Sequence, residues 1–408
     1  MKGFVLNLAL FIISVGTCSQ LSAAEREAMP RGQCREISQG WRIKSVTPRK
    51  SLDTSFLAEA ERAGKAEGWL AVSTMPAMVH DILLQHGRID IPWLPGAAEK
   101  CLWVAEQDWV YAVHFEAAQT KEGSLLRFQG LDTIVDVYLN GTLIASHSNM
   151  YLPLIVDVSG KLHKKNTLVL HFHSVYEQSD GNRSRIRNVN GDPDRRVRRP
   201  IQNYSNYLGP YPNFSRVGVY DKVFLEVTHG SWMKEVVADS SVNETLTMGT
   251  VTLDIAGICS VDDVEVCVRL LDPNGQSVAT LTSEPEIQDG TFTNRMVIHV
   301  NRPCLWWPRG YGDQPLYRIE TTLIVEDHPH QTLYRTVGFR RVSMPKRLHF
   351  VVNDIPVRLW GGDWVTPRWD TAVWDQPRVE KLFAMAEHAN FNAFRVWGVV
   401  ESPRNEFY

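Results

Sequence analysis

Alternation is the most legible pattern along this chain. In "NTLVLHFH" the side chains of Leu168, Leu170 and Phe172 fall on one side of an extended segment, with Val169, His171 and His173 on the other. Because side chains of an extended chain repeat with period two, this predicts a half-buried strand. "VDDVEVCVRL" repeats the pattern with Val264, Val266, Val268 and Leu270, and Asp272-Pro273-Asn274-Gly275 supplies a turn. "RMVIHV", "LYRIETTLIV" and "TLYRTVGF" follow as further strands. Between the β-rich runs 134–139 and 142–145 stands Asn140-Gly141. That dipeptide predicts a two-residue type I′ hairpin, since both central positions need positive φ.

After Pro345 the period changes. "PVRLW" predicts a short strand running into "GGDW". Val379, Leu382, Phe383, Ala386 and Ala389 are spaced for one face of a helix, with Asp375 as cap, Pro377 in the first turn and Asn390 as the stop. Residues 394–397 then form the next strand. Strand, helix, strand is the opening of a parallel repeat. β signals from 69 to 227 and from 231 to 342 mark two preceding modules, the second of immunoglobulin size.

Composition narrows the partners. The 408 residues are 44% hydrophobic and 22% charged with a net charge of −3, which gives no reason to expect nucleic acid or an acidic membrane. Thirteen tryptophans exceed what packing a core of this size requires, and indole serves both as sandwich filler and as a flat platform for ligands. Lys2 precedes the apolar run "FVLNLALFIISVGT", too short to span a bilayer, and "LSAA" offers a cleavage site after about Ala24. This predicts an export signal over residues 1–24 and a secreted or periplasmic chain; a lipoprotein signal with Cys18 as the lipidated residue is the minor alternative. No other stretch predicts a membrane span.

Of the six cysteines, Cys34, Cys101, Cys259, Cys267 and Cys304 lie beyond that leader, scattered and odd in number, so no disulfide framework is expected. No cofactor is implied, and no metal: His171 and His173 share a strand face but lack a third ligand nearby in the sequence, and paired surface histidines are the expectation. Seven arginines fall between Arg183 and Arg199 among Gly, Asn, Asp and Pro. Without interleaved aromatics they read as a long loop on a sandwich, able to reach a neighbouring domain's site, rather than as a nucleic-acid surface.

Several separate segments resemble one family in the correct order. "MPAMVHDILLQHGRI" with "WVAEQDWVYAVHF" is similar to the opening of the jelly-roll domain of glycoside hydrolase family 2, and "LRFQGLDTIVDVYLNG" to its central hairpin. "WWPRGYGDQPLYRIETTL" resembles the Trp-Trp-Pro segment of the family's immunoglobulin-like domain. "FRVWG" with "ESPRNEFY" resembles the second barrel strand and the helix after it. The likeness is greatest to the β-mannosidase branch.

The resemblance implies a mainly β chain: a jelly-roll sugar-binding sandwich over 25–228, an immunoglobulin-like sandwich over 229–342, and the start of a (β/α)8 barrel over 343–408. It implies hydrolysis of a terminal β-linked sugar with retention, by two glutamates whose carboxyls lie about 5–5.5 Å apart. In the family these follow the fourth and seventh barrel strands. Neither is therefore expected among these residues, no catalytic residue is assigned, and the chain is expected to be an inactive N-terminal fragment. Asp363 and Glu401, just after the first two barrel strands, are a poor substitute pair, since the family does not use those positions for catalysis.

Substrate-binding residues carry over position by position. Arg395 and Trp397 match the family's Arg-x-Trp-Gly strand end, where the aromatic faces the innermost sugar. Asp363 and Trp364 match a segment that usually reads Gly-Ala-Asn-Trp, with Asp in place of Asn. Where mannosidases carry a Gly-Trp-Asp-Trp loop, this chain has "NYLGPYPNF", so that the sugar-binding Asp is absent and Tyr207 and Tyr211 are placed to fill the space. The expected partner is a carbohydrate; mannose, a β-glucosaminide and another β-glycoside all stay open. A non-catalytic sugar-binding protein is the rival function, and an adhesion scaffold of two sandwiches a third.

Overall fold

The computed structural model describes residues 34–64, 66–92, 94, 96–97, 99–117, 123–175, 216–364 and 376–396. The first module is a sandwich of antiparallel sheets. One has four strands in the order Cys34–Glu36, Val223–Val227, Ser124–Phe128, Leu154–Asp157. The other has six, in the order Leu70–Ala71, Arg42–Val46, Asp108–Glu116, Lys165–Phe172, Val135–Leu139, Thr142–His147. Their facing sides bury Trp41, Trp109, Tyr111, Leu126, Phe128, Val137, Leu170 and Phe172 in one core. The Asn-Gly hairpin forms as expected: Asn140 and Gly141 have φ of 51° and 79°, and the flanking strands pair antiparallel.

Lys165–Phe172 departs from the expected half-buried strand. Val169 and His171 are as buried as Leu168 and Leu170. A second apolar layer explains this: Val46, Leu52, Phe56, Leu57, Ala60 and Trp69 pack on Val110, Ala112, Tyr138 and Val169 across the outer face of the six-stranded sheet. The short helix Thr54–Ala60 that carries this layer is opened by Asp53, whose carboxylate accepts from the Phe56 N–H at 2.8 Å.

At that helix's edge Lys44 Nζ lies 2.6 Å from Glu59 Oε1, and the Trp69 indole N–H donates to the same oxygen at 2.9 Å. The Lys44 hydrogen bond, opposed by desolvation and supported by Trp69, holds the Glu59 carboxyl below its ordinary 4.5. A depressed folded pKa stabilises the native state above the unfolded value and is lost as pH falls through the folded one. Glu59→Gln is therefore expected to be less stable than the parent at neutral pH, with the gap in denaturant midpoint closing as pH falls below 4.5. A gap that stayed constant down to acid denaturation would show that the carboxylate contributes nothing.

The second module packs the sheet Trp232–Val242, Met248–Ile258, Thr291–Asn301, Glu286–Gln288 against the sheet Ser277–Ser283, Val264–Leu271, Tyr317–Val325, His328–Val337. The alternation seen in the sequence is the packing: Val264, Val266, Val268 and Leu270 are all buried, with Met233, Val251, Leu253, Phe292 and Ile298 opposite. Gly275, at φ of 81°, closes the expected turn, and Asp272 accepts from the N–H groups of Asn274 and Gln276. The two sandwiches meet closely at Gly123, where an added Cβ would lie 2.0 Å from Gly230 N.

The third part begins with a small antiparallel sheet, Val342–Lys346, His349–Val352, Ile355–Val357. "PVRLW" therefore supplies the last strand of this meander and not the first barrel strand. That strand is Gly361–Trp364 itself, paired in parallel with Ala393–Val396. The helix Gln376–His388 lies between them in the chain, burying Val379, Phe383 and Ala386. Ala389, expected on this face, is exposed. Asn390 ends the helix at φ of 59°. No helix among the described residues is long and apolar enough to cross a membrane.

Candidate functional site

The candidate site is the C-terminal edge of the two parallel strands, the edge on which barrel enzymes place their chemistry. Four interactions fix these strands. Gly361 pairs with Ala393 and Asp363 with Arg395 in register. Asn392 ties the entrance: its Oδ1 accepts from Trp360 N at 2.8 Å, and its Nδ2 donates to Arg358 O at 2.9 Å. The meander is joined to the second sandwich, since Arg358 N donates to the Tyr311 hydroxyl at 2.8 Å.

Side chains alternate across these strands. Trp364 turns toward the helix, with its ring stacked on Phe383 at 4.9 Å and edge-on to Phe394 at 5.8 Å. It is buried and offers no face to a ligand, although the matched motif implied contact with sugar. Its neighbour Asp363 turns the opposite way, to the face away from the helix, and there meets Arg395. Arg395 Nη1 donates to both Asp363 oxygens, at 3.0 and 2.8 Å.

Both partners of this pair are about half exposed. At such exposure an ion pair contributes no more than about 1 kcal/mol to stability. Its effect is orientation: with Nη1 held by Asp363, the Arg395 Nε and Nη2 donate to no acceptor among the described residues. Those donors can meet a hydroxyl or a carboxylate arriving from above the strand ends. Trp397, Glu401, Tyr207 and Tyr211 lie outside the described residues, as does the arginine-rich stretch 183–199.

Exposed Trp360, with Arg358 5.8 Å above its ring, sits at the opposite, N-terminal end of the first barrel strand. Barrel chemistry does not occur at that end, so this aromatic is excluded from the site.

The expectation of paired surface histidines is overturned. His171 is fully buried and His173 is 6% exposed. His171 Nε2 bonds Asp108 Oδ2 at 2.8 Å, and His173 Nε2 bonds Asp136 Oδ2 at 3.0 Å. Asp108 brings the third metal-ligating group that the local sequence lacked. Its carboxyl is held below the ordinary carboxylate range. Burial opposes this, but the His171 hydrogen bond and the N–H groups of Ser174 and Arg49 outweigh it.

Two sandwiches thus lead into a pair of parallel strands that carry a polar pair at their C-terminal ends. The family description "Glycosyl hydrolase 2 galactose-binding domain-like" matches residues 41–219, and "Glycosyl hydrolases family 2" matches residues 234–340. The chain belongs to glycoside hydrolase family 2, in its β-mannosidase-like branch. It is 31% identical over 388 residues to β-mannosidase B of Thermothelomyces thermophilus, covering 89% of this chain and 44% of that relative. With β-mannosidase B of Aspergillus terreus it shares 26% over 370 residues, 86% of this chain and 42% of the relative.

Solved structures agree on the fold. The β-D-mannosidase of Dictyoglomus thermophilum superposes with a TM-score of 0.78 at 21% identity, over 92% of this chain and 45% of that one. An exo-chitosanase of Amycolatopsis orientalis gives 0.67 at 18% identity, over 92% and 42%. The chain thus spans less than half the length of each of these four relatives.

Proposed function

We propose that this chain forms the non-catalytic front half of an exported, retaining β-glycosidase that removes terminal β-linked sugars from a glycan. In this reading the two sandwiches shape and support the site, and the barrel strands supply part of the innermost sugar subsite. The observation that carries it is the Asp363–Arg395 pair, set at the C-terminal ends of parallel strands in a chain similar to β-mannosidase B over 89% of its length. Arg395 donates to sugar hydroxyls or to a catalytic carboxylate, with Asp363 fixing its guanidinium. By its match to the family's strand-end motif, Trp397 supplies an apolar platform for the C–H face of a pyranose. The leader at residues 1–24 directs export.

The catalytic carboxylates are assigned outside these 408 residues. Retaining hydrolysis needs a carboxylic acid and a carboxylate about 5–5.5 Å apart. At the described strand ends Asp363 is the one carboxylate, and it is engaged by Arg395. The purified chain is therefore expected to release no nitrophenol from nitrophenyl β-mannoside above the rate of buffer alone. Turnover that disappeared in Asp363→Asn or Glu401→Gln would overturn the assignment, because the chain would then hold its own acid or nucleophile.

A further inference from the structure

Three metal-ligating side chains converge under the outer layer of the first sandwich. Asp108 opens one strand of the six-stranded sheet, and His171 and His173 lie at the end of its neighbour, so the three share one sheet face. They are 1%, 0% and 6% exposed, and each offers a donor atom within 4.8 Å of the others. The imidazole rings are 4.1 Å apart.

Their hydrogen bonds leave the centre of the cluster unresolved. His173 donates through Nε2 to the Asp136 carboxylate, which can only accept. The Nδ1 of His173 has no hydrogen-bond partner among the described residues and faces Asp108 Oδ2 at 3.7 Å. A ring nitrogen and a carboxylate oxygen thus meet in a buried space with no hydrogen bond between them. Among the described residues no lysine or arginine side chain pairs with Asp108 or Asp136, so two carboxylates converge on two imidazoles without a fixed cation.

We propose that Asp108 Oδ2, His171 Nε2 and His173 Nδ1 bind one first-row divalent cation, with Zn2+ the best match to a two-imidazole, one-carboxylate donor set. Two ligands on one tetrahedral zinc, each roughly 2.0–2.1 Å from it, stand about 3.3 Å apart. The observed separations of 2.8 Å and 3.7 Å from Asp108 Oδ2 bracket that spacing. Coordination through His171 Nε2 requires the hydrogen it donates to Asp108 to leave that nitrogen, and a neutral metal-bound ring carries its hydrogen on Nδ1. The surrounding shell is in place around His173 and Asp108, while His171 Nδ1 has no hydrogen-bond partner among the described residues. Asp136 orients His173 by accepting from the nitrogen opposite the ligand, as carboxylates do behind metal-bound histidines. The N–H groups of Arg49 and Ser174 hold Asp108 at 3.0 and 2.7 Å. The ion would staple the two strands to the backbone at residue 49, beneath the layer carried by Thr54–Ala60.

The test uses the purified chain, stripped with a chelator and dialysed, with Zn2+ alone as the probe. Competition against a chromogenic zinc indicator is expected to show one Zn2+ per chain. At a hundredfold excess over the dissociation constant, the melting temperature is expected to rise by roughly 4–10 °C. His173→Gln is expected to weaken binding at least about a hundredfold, and Asp136→Asn by about 10–100-fold through loss of orientation. If Asp108→Asn fails to fold, these two variants still decide the matter. No zinc uptake by the stripped parent would overturn the proposal. So would stoichiometric binding that His173→Gln leaves unchanged, since an exposed thiol such as Cys34 or Cys304 would then be the site.

Discussion

Gly361→Val is expected to disorder the two parallel strands and their helix while leaving both sandwiches folded. The reason is contact distance. A Cβ added at residue 361 would lie 1.7 Å from Ala393 O and 2.8 Å from its carbonyl carbon, and both neighbours are backbone. Neither strand can yield without breaking the register that pairs Asp363 with Arg395. The apolar cluster of Trp364, Val379, Phe383, Ala386 and Phe394 depends on that pairing and shares no residue with either sandwich core. The local cost is expected to exceed about 4 kcal/mol, at the top of the range for single substitutions.

Limited trypsin digestion should then cut at Arg358 and Arg378, while the calorimetric transition of the sandwiches stays where it was. Gly362→Ala is the control. Its added Cβ would meet only the Phe391 ring, at 3.5 Å, an ordinary contact, so this variant should match the parent. If both variants digest alike, the close approach at Gly361 is not what holds the unit.

The second large effect is expected in the first sandwich. Arg216 Nε donates to Asp132 Oδ2 at 2.9 Å, with both side chains almost fully buried, and the guanidinium lies 5.6 Å from the Tyr220 ring. Asp132 also belongs to the strand that pairs with Gly218–Val219, where Gly218 faces it in register. Truncation in Asp132→Ala removes a buried counter-charge from a guanidinium that is itself almost fully buried. Such losses cost about 3–5 kcal/mol, against no more than about 1 kcal/mol for a partly exposed pair such as Lys44–Glu59. In a module of this size that is a fall in melting temperature of roughly 10 °C. Glu59→Ala should move it by only a degree or two. Equal shifts in the two variants would mean that burial does not set the strength of these pairs.

Much of the architecture was legible because local signals and tertiary packing agree. Asn140-Gly141 can form few other turns, and the alternation of Val264, Val266, Val268 and Leu270 faces one core. What was misread depends on distant parts of the chain. His171 and His173 look like an exposed face until residues 46–60 fold over them, and nothing in "NTLVLHFH" announces that cover. Asp108, 63 positions before His171, could not be recognised as their partner from spacing. "GGDW" has little β-propensity, so the strand was placed in the preceding "PVRLW". Gly361 is there because the neighbouring backbone comes too close for a side chain. At the strand ends, Asp363 and Arg395 come from two separate motif matches, and the structure pairs them. Trp364 was grouped with them although alternation along a four-residue strand turns it to the helix.

The central claim is that these modules serve a β-glycosidase whose catalytic carboxylates lie outside the 408 residues. Antibodies raised against the folded sandwiches, used to deplete an extract of the source cells, test it directly. The expected result is capture of a polypeptide about twice this length, together with loss of aryl β-mannosidase or a related aryl β-glycosidase activity from the extract. Capture of a 408-residue chain alone, with every aryl β-glycosidase activity left in the supernatant, would contradict it.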